Sequence, residues 1–201
     1  MRKIIILIIS LIFIFIFFSG CFDDDNSKCD VDDNNKKNIQ LFEGYNSGDD
    51  TALFCFGDWK FAQVFHVNES FNVTKINLKI SRFGPCDHGN FTVSINSFEN
   101  EEPSDNSLVS IILDGNDISG NISNWEEINL GKPLFLTEKK IYCIVLNTDY
   151  GSENCAMIWK INTSSGIIGY PEGMAFTSTD NGISWISQKG DFLFEIYGYN
   201  K

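Results

Sequence analysis

From residue 39 onward the chain is a succession of short apolar runs broken by clusters of Gly, Asn, Asp and Ser, and none carries the 3.6-residue stripe of an amphipathic helix. Two runs alternate strictly: Lys75-Ile76-Asn77-Leu78-Lys79-Ile80 and Phe91-Thr92-Val93-Ser94-Ile95. A period of two puts every second side chain on one face of an extended strand, so each run buries one face and wets the other. Further strands are expected at 61–67, 108–113, 125–130, 141–147, 156–161, 174–177 and 192–199. Nine or so strands at this spacing predict an all-β antiparallel sandwich or barrel, and the lack of a 40 to 50 residue repeat argues against a propeller. Asp180-Asn181-Gly182 suits the left-handed backbone of a tight hairpin between Phe176 and Trp185.

The first residues set the compartment. Arg2 and Lys3 precede an apolar stretch from Ile4 to Phe18, which ends on Ser19-Gly20-Cys21. This is the three-part pattern of a signal peptide, and its nearly unbroken apolar stretch of fifteen residues falls short of the ~20 that a spanning helix needs. Phe18-Ser19-Gly20-Cys21 resembles the lipobox of prokaryotic lipoproteins, although Phe18 stands where such motifs usually carry Leu. The resemblance implies cleavage after residue 20 and lipidation of Cys21. An uncleaved anchor is the alternative, and both place the remainder outside the cytoplasm at the membrane. Residues 1–20 are thus expected to form a signal helix. Residues 21–38, rich in Asp, Asn and Lys, should form a disordered acidic tether, with a single sandwich domain at 39–201.

The chain carries a formal charge of −12, which becomes −14 once Arg2 and Lys3 leave with the signal segment. That balance excludes nucleic acid as a partner, because phosphate recognition requires clustered Lys and Arg. Eighteen Phe supply ample material for one core. With Cys21 assigned to a lipid, five cysteines remain in a compartment where disulfides persist, so one is left over. Cys143 lies within an apolar run and is expected to be a buried free thiol. Four others admit three pairings, and sequence does not choose among them; the expected bridges are Cys86 with Cys155 and Cys29 with Cys55. Sequons at Asn68, Asn72, Asn90, Asn121 and Asn162 barely exceed chance, so no glycosylation is inferred.

Several segments in order resemble the choice-of-anchor β-sandwich domains of prokaryotic surface proteins. They are 62–67, 73–80 and 90–95, then Trp125-Glu126-Glu127-Ile128-Asn129-Leu130, 142–146, 178–185 and 191–198. The resemblance implies a jelly-roll-like sandwich related in shape to carbohydrate-binding modules, and it carries over no catalytic residues. The stretch Ser178 to Trp185 also resembles the Asp-box, Ser-x-Asp-x-Gly-x-x-Trp, in which the Asp braces a turn and the Trp packs beneath it.

Candidate chemistry is sparse. Cys86 and His88 offer two metal ligands, but a closed zinc site needs about four, and no second pair has matching spacing. No Gly-x-Ser-x-Gly elbow occurs, and with 27 acids a carboxylate pair cannot be singled out. Asp114, Asn116 and Asp117 place hard oxygen donors close enough for a structural calcium, against the simpler reading of a polar turn; no other cofactor is expected. Among the aromatic residues, Trp159 should share a buried face with Met157 and Ile161, whereas Tyr150 and Tyr170, beside Gly-rich loops, are the candidates for stacking on a sugar. The expectation is a non-enzymatic, membrane-anchored surface lipoprotein that serves envelope structure or adhesion and binds a glycan or a surface protein. The alternatives are a sugar-capturing lipoprotein that serves a transporter or partner enzyme, and a surface glycan hydrolase.

Overall fold

The computed structural model describes residues 37–48, 51–120, 122–164, 169–171 and 173–201. The signal segment, most of the tether, Cys21, Cys29 and Asn121 lie outside the described residues.

Thirteen strands are described, and they form two antiparallel sheets in a jelly-roll-like sandwich. They are β1 (Gln40–Tyr45), β2 (Thr51–Cys55), β3 (Lys60–Val67), β4 (Phe71–Phe83), β5 (Asn90–Glu99), β6 (Glu102–Asp114), β7 (Asn124–Leu136), β8 (Lys140–Thr148), β9 (Ala156–Asn162), β10 (Ala175–Ser178), β11 (Ile186–Gln188), β12 (Asp191–Phe192) and β13 (Phe194–Tyr199). The seven-stranded sheet has the order β1-β13-β4-β9-β12, with β7 also on β4 and β2 also on β9. The six-stranded sheet runs β11-β10-β3-β8-β5-β6.

Alternation decides what faces inward. On β4, Ile76, Leu78 and Ile80 are buried, and on β5 so are Phe91, Val93 and Ile95. These side chains meet between the sheets with an aromatic centre. Trp159 stacks on Phe192 at 4.5 Å, Phe61 stacks on the same ring at 5.4 Å, and Phe65 lies 6.1 Å from Phe194. Trp159 is fully buried with Met157 and Ile161, and its indole donates to the Leu193 carbonyl at 3.0 Å. A buried indole N–H needs such an acceptor.

The two outer faces differ. On the six-stranded sheet the middle outward positions of β3 and β8 are apolar, and Ala62, Val64, Cys143, Val145 and Phe176 form a second buried cluster. Register shifts at Ile95/Asn96 and Asn96/Phe98 bend the β5–β6 hairpin. They bring Phe98 over this face to within 5.9 Å of Phe176, and Trp185 packs on the same cluster from the other side. On the seven-stranded sheet the outer face is open and polar.

Candidate functional site

The loop end of the sandwich gathers most of the residues expected to act. Cys86 and Cys155 are joined in a disulfide across 69 residues, with Cα atoms 6.0 Å apart. Gly115 N–H donates to the Gly89 carbonyl at 2.7 Å, and the Asn116 amide donates to Asp87 Oδ1 at 2.8 Å and to Asp114 Oδ1 at 3.0 Å. Asn116 Oδ1 accepts from the His88 backbone at 3.2 Å. Of Asp114, Asn116 and Asp117, the residues expected to hold a calcium, Asp114 and Asn116 are tied together: the Asn116 amide bridges the Asp87 and Asp114 carboxylates and its oxygen takes the His88 backbone N–H. Asp87 is held below the usual carboxylate range chiefly by the Asn116 side chain.

Tyr150 sits at this end, exposed, with its ring against Gly89, where an added Cβ would lie 2.5 Å from the ring. Gly89 also has φ +55°, so glycine is required there twice over. Tyr170 does not share that setting. Its ring meets Phe194 edge-on at 5.4 Å, its hydroxyl donates to Glu43 at 2.8 Å, and its backbone N–H donates to Asp191 at 3.0 Å. Tyr170, expected as a residue that stacks on a sugar, is half-buried and packs against the core. Cys55 likewise is no bridge partner: it is a fully buried free thiol that donates to the Trp59 carbonyl at 3.2 Å. Burial pushes its thiol pKa up strongly. Cys143 is a second buried free thiol, pushed up to about 12 by burial.

The Asp-box is a closed bracket. Asp180 accepts from the hydroxyls of Ser178 and Ser184 and from the Ser184 backbone, and these bonds, Ser184 first, hold its pKa down to about 2. Asn181 and Gly182 take left-handed φ of 61° and 88°, as the turn requires.

The open face of the seven-stranded sheet carries an arrangement that no local motif announces. Register aligns Glu195 of β13, Asn77 of β4 and Glu127 of β7 in one row, and Tyr197, Lys75 and Asn129 in the next. Glu195 accepts from Asn77 at 3.1 Å, Asn46 at 3.2 Å and the Tyr197 hydroxyl at 2.9 Å. Glu127 accepts from Lys75 and, at 3.1 Å, from Asn129. The Lys75 ammonium lies 4.7 Å from the Tyr197 ring centroid. It holds the Glu127 carboxyl below its ordinary range, and hydrogen bonding to Glu195 raises the Tyr197 phenol. Asn77 Oδ1 is shielded from solvent without a donor. At one end of these rows, opposite Lys79, stands Trp125, 36% exposed. The face thus offers acceptors, donors and two aromatic rings in fixed register.

A cleft of about 760 Å³ opens beside the covered face of the other sheet, with Val64, Ile141, Phe98 and Met174 as its apolar part and His66, Asn68, Lys139 and Lys140 at its polar part.

No family model matches the chain, and no curated protein matches it. Among solved structures, the chain is similar to the crystal structure of the cysteine protease and lectin-like domains of Cwp84, a surface layer associated protein of Clostridium difficile. The identity is 11% and the TM-score 0.49, over 73% of this chain and 33% of that one. The chain spans about a third of the length of that neighbour, and at this identity nothing about activity or ligand passes from one to the other.

Proposed function

We propose that the domain is a non-catalytic carbohydrate-binding module displayed at the cell surface, with the open face of the seven-stranded sheet as its glycan contact. The observation that carries this reading is the Glu195–Asn77–Glu127 row with Lys75 beside it, flanked by Tyr197 and Trp125. Sugar hydroxyls both donate and accept, and carboxylate, amide and ammonium groups at the ~4.8 Å strand spacing present complementary partners. Aromatic rings supply flat apolar area against the C–H face of a pyranose. The hydrogen bonds among these side chains hold them in place before a ligand arrives, which lowers the ordering cost of binding.

Glu127 and Glu195 also form a carboxylate pair, so hydrolysis deserves a direct answer. A glycosidase needs one carboxyl that keeps a proton for the leaving oxygen. Here Lys75 favours the ionised form of Glu127, and Glu195 accepts from three donors. Both therefore serve as acceptors. The N-terminal segment completes the reading: signal cleavage at the lipobox-like Phe18-Ser19-Gly20-Cys21 and lipidation of Cys21 tether the module outside the membrane. Intact mass of protein extracted from membranes should begin at a lipid-bearing Cys21; a chain that retains Met1 overturns that part.

The test of the glycan contact is binding of residues 37–201 to an array of polysaccharides. Trp125→Ala and Glu195→Gln should each weaken a bound glycan by roughly tenfold, about 1.4 kcal/mol, while Tyr150→Ala leaves it unchanged. Absence of any glycan binding, full affinity in both variants, or release of reducing ends would sink the proposal.

A further inference from the structure

Cys86, His88 and Cys155 form the one group of metal-capable side chains, among the described residues, whose donor atoms all lie within 4.8 Å of one another. Sequence supplied only the first two, and the fold brings the third from 69 residues away. We propose that reduction of the Cys86–Cys155 bridge converts this end of the sandwich into a binding site for a thiolate-seeking divalent cation of the zinc class, with both sulfurs and His88 as its protein ligands.

The first argument is that the backbone, not the bridge, keeps the two cysteines together. Strand pairing joins Phe83 to Ala156 and Arg82 to Met157, and Gly84 packs so closely that an added Cβ would lie 2.0 Å from the Asn154 carbonyl oxygen. Ser152 and Cys155 exchange backbone hydrogen bonds at 2.8 and 2.9 Å, which close the turn that carries Cys155. Opening the disulfide leaves both thiols in place.

The second argument is the histidine. His88 is only 3% exposed, and one ring nitrogen, Nε2, lies 2.9 Å from the Phe83 carbonyl. A carbonyl only accepts, so Nε2 carries a proton, and in the neutral ring the lone pair sits on Nδ1. Cys86 Sγ lies beside the ring, 3.6 Å from Nε2 and 4.0 Å from Nδ1. A disulfide sulfur has no proton to donate, so this buried acceptor faces a partner that cannot satisfy it. A histidine fixed through one ring nitrogen to a backbone carbonyl, which leaves the other nitrogen with its lone pair, is the arrangement by which proteins set an imidazole's tautomer for a metal.

Distances agree. Zinc bonds of ~2.3 Å to sulfur and ~2.0 Å to nitrogen at tetrahedral angles place N and S about 3.5 Å apart and two sulfurs about 3.8 Å apart. The ligating His88 Nδ1 stands 4.0 Å from Cys86 Sγ, about half an ångström beyond that spacing, and side-chain rotation about Cα atoms 6.0 Å apart both separates the sulfurs and closes this gap. The chemistry balances with a thiol reductant: two thiols give up two electrons and two protons and become a disulfide, and Cys86 and Cys155 become thiols. The cation then displaces those two protons. Three protein ligands leave a fourth position for solvent or an external ligand.

The experiment titrates residues 37–201 with Zn(II) against a chromophoric chelator, in the oxidised form and after reduction with a phosphine, and repeats the titration with Co(II). One cation per reduced chain is expected, with a thiolate-to-cobalt charge-transfer band, and none in the oxidised form. His88→Ala and Cys86→Ser should each lower affinity at least tenfold while near-ultraviolet dichroism reports an unchanged core. Equal binding by both redox forms, no binding by the reduced form, or undiminished affinity and charge-transfer band in His88→Ala overturns the site.

Discussion

The outer faces of the two sheets are built from strands of similar length and alternation, yet one is a covered apolar layer and the other an open polar one. On the six-stranded sheet the outward residues of β3 and β8 include Val64, Cys143 and Val145, at most 4% exposed beneath Phe98, Phe176 and Trp185. On the seven-stranded sheet the outward residues of β4 include Lys75, Asn77 and Lys79, each partly exposed. Alternation tells which side chains share a face. Whether a face is roofed depends on bulges and turns elsewhere, here the bent β5–β6 hairpin and the Asp-box loop.

The sharpest way to break this contrast is the same substitution on each face. Val145→Asp should cost roughly 4 kcal/mol, because a charge is sealed under the roof without a partner, whereas Leu41→Asp, at 49% exposure beside Tyr197, should stay within about 0.5 kcal/mol. Urea midpoints at pH 7 decide it, and equal losses would mean that the roof does not exclude water. A smaller difference separates two indoles. Trp159→Phe removes the bond to the Leu193 carbonyl and should cost about 2 kcal/mol, while Trp185→Phe should cost under about 1 kcal/mol because the Trp185 Nε1 is buried without a partner. Thiol alkylation gives a kinetic version: both Cys55 and Cys143 should resist it in the folded chain, and Phe98→Ala should expose Cys143 but leave Cys55 protected.

The smallest effect concerns the loop that carries Trp185. Asp180 titrates at about 2 in the folded chain against an ordinary 3.8, so its contribution is present above the ordinary value and lost as pH falls towards 2. The stability gap between the wild type and Asp180→Asn should therefore be constant from pH 7 to about 5 and shrink between about 4 and 2. A gap that widens in that interval would remove the carboxylate's role in the bracket.

Much of this architecture is legible in residues 75–80 and 91–95, where strict alternation names the buried side chains, and in Asp180-Asn181-Gly182, where the turn follows from the residues. β1, β2 and β11 escape such reading because each is short and only partly buried, so burial leaves little pattern. Tyr170 looks exposed because it follows Gly169 and precedes Pro171 in a loop-like stretch, while its packing partner Phe194 comes 24 residues later. The polar row is hidden for a related reason: Asn77, Glu127 and Glu195 are ordinary residues until register, interrupted by a bulge at Val73/Lys75, sets them side by side. Local sequence carries faces, but cross-strand neighbours are a property of the whole sheet.

The first and last described strands, β1 and β13, lie against each other from Gln40 with Gly198 to Tyr45 with Phe194, and β13 in turn separates β1 from β4. The seven-stranded sheet is therefore complete only when β13 has inserted between two strands that lie far before it in the sequence. Until β13 docks, residues 72–78 of β4 have β7 on one edge and lack their partner on the other. Long-range pairing of this kind slows folding, because the entropy of closing the long intervening loops is lost before the contacts that offset it have formed.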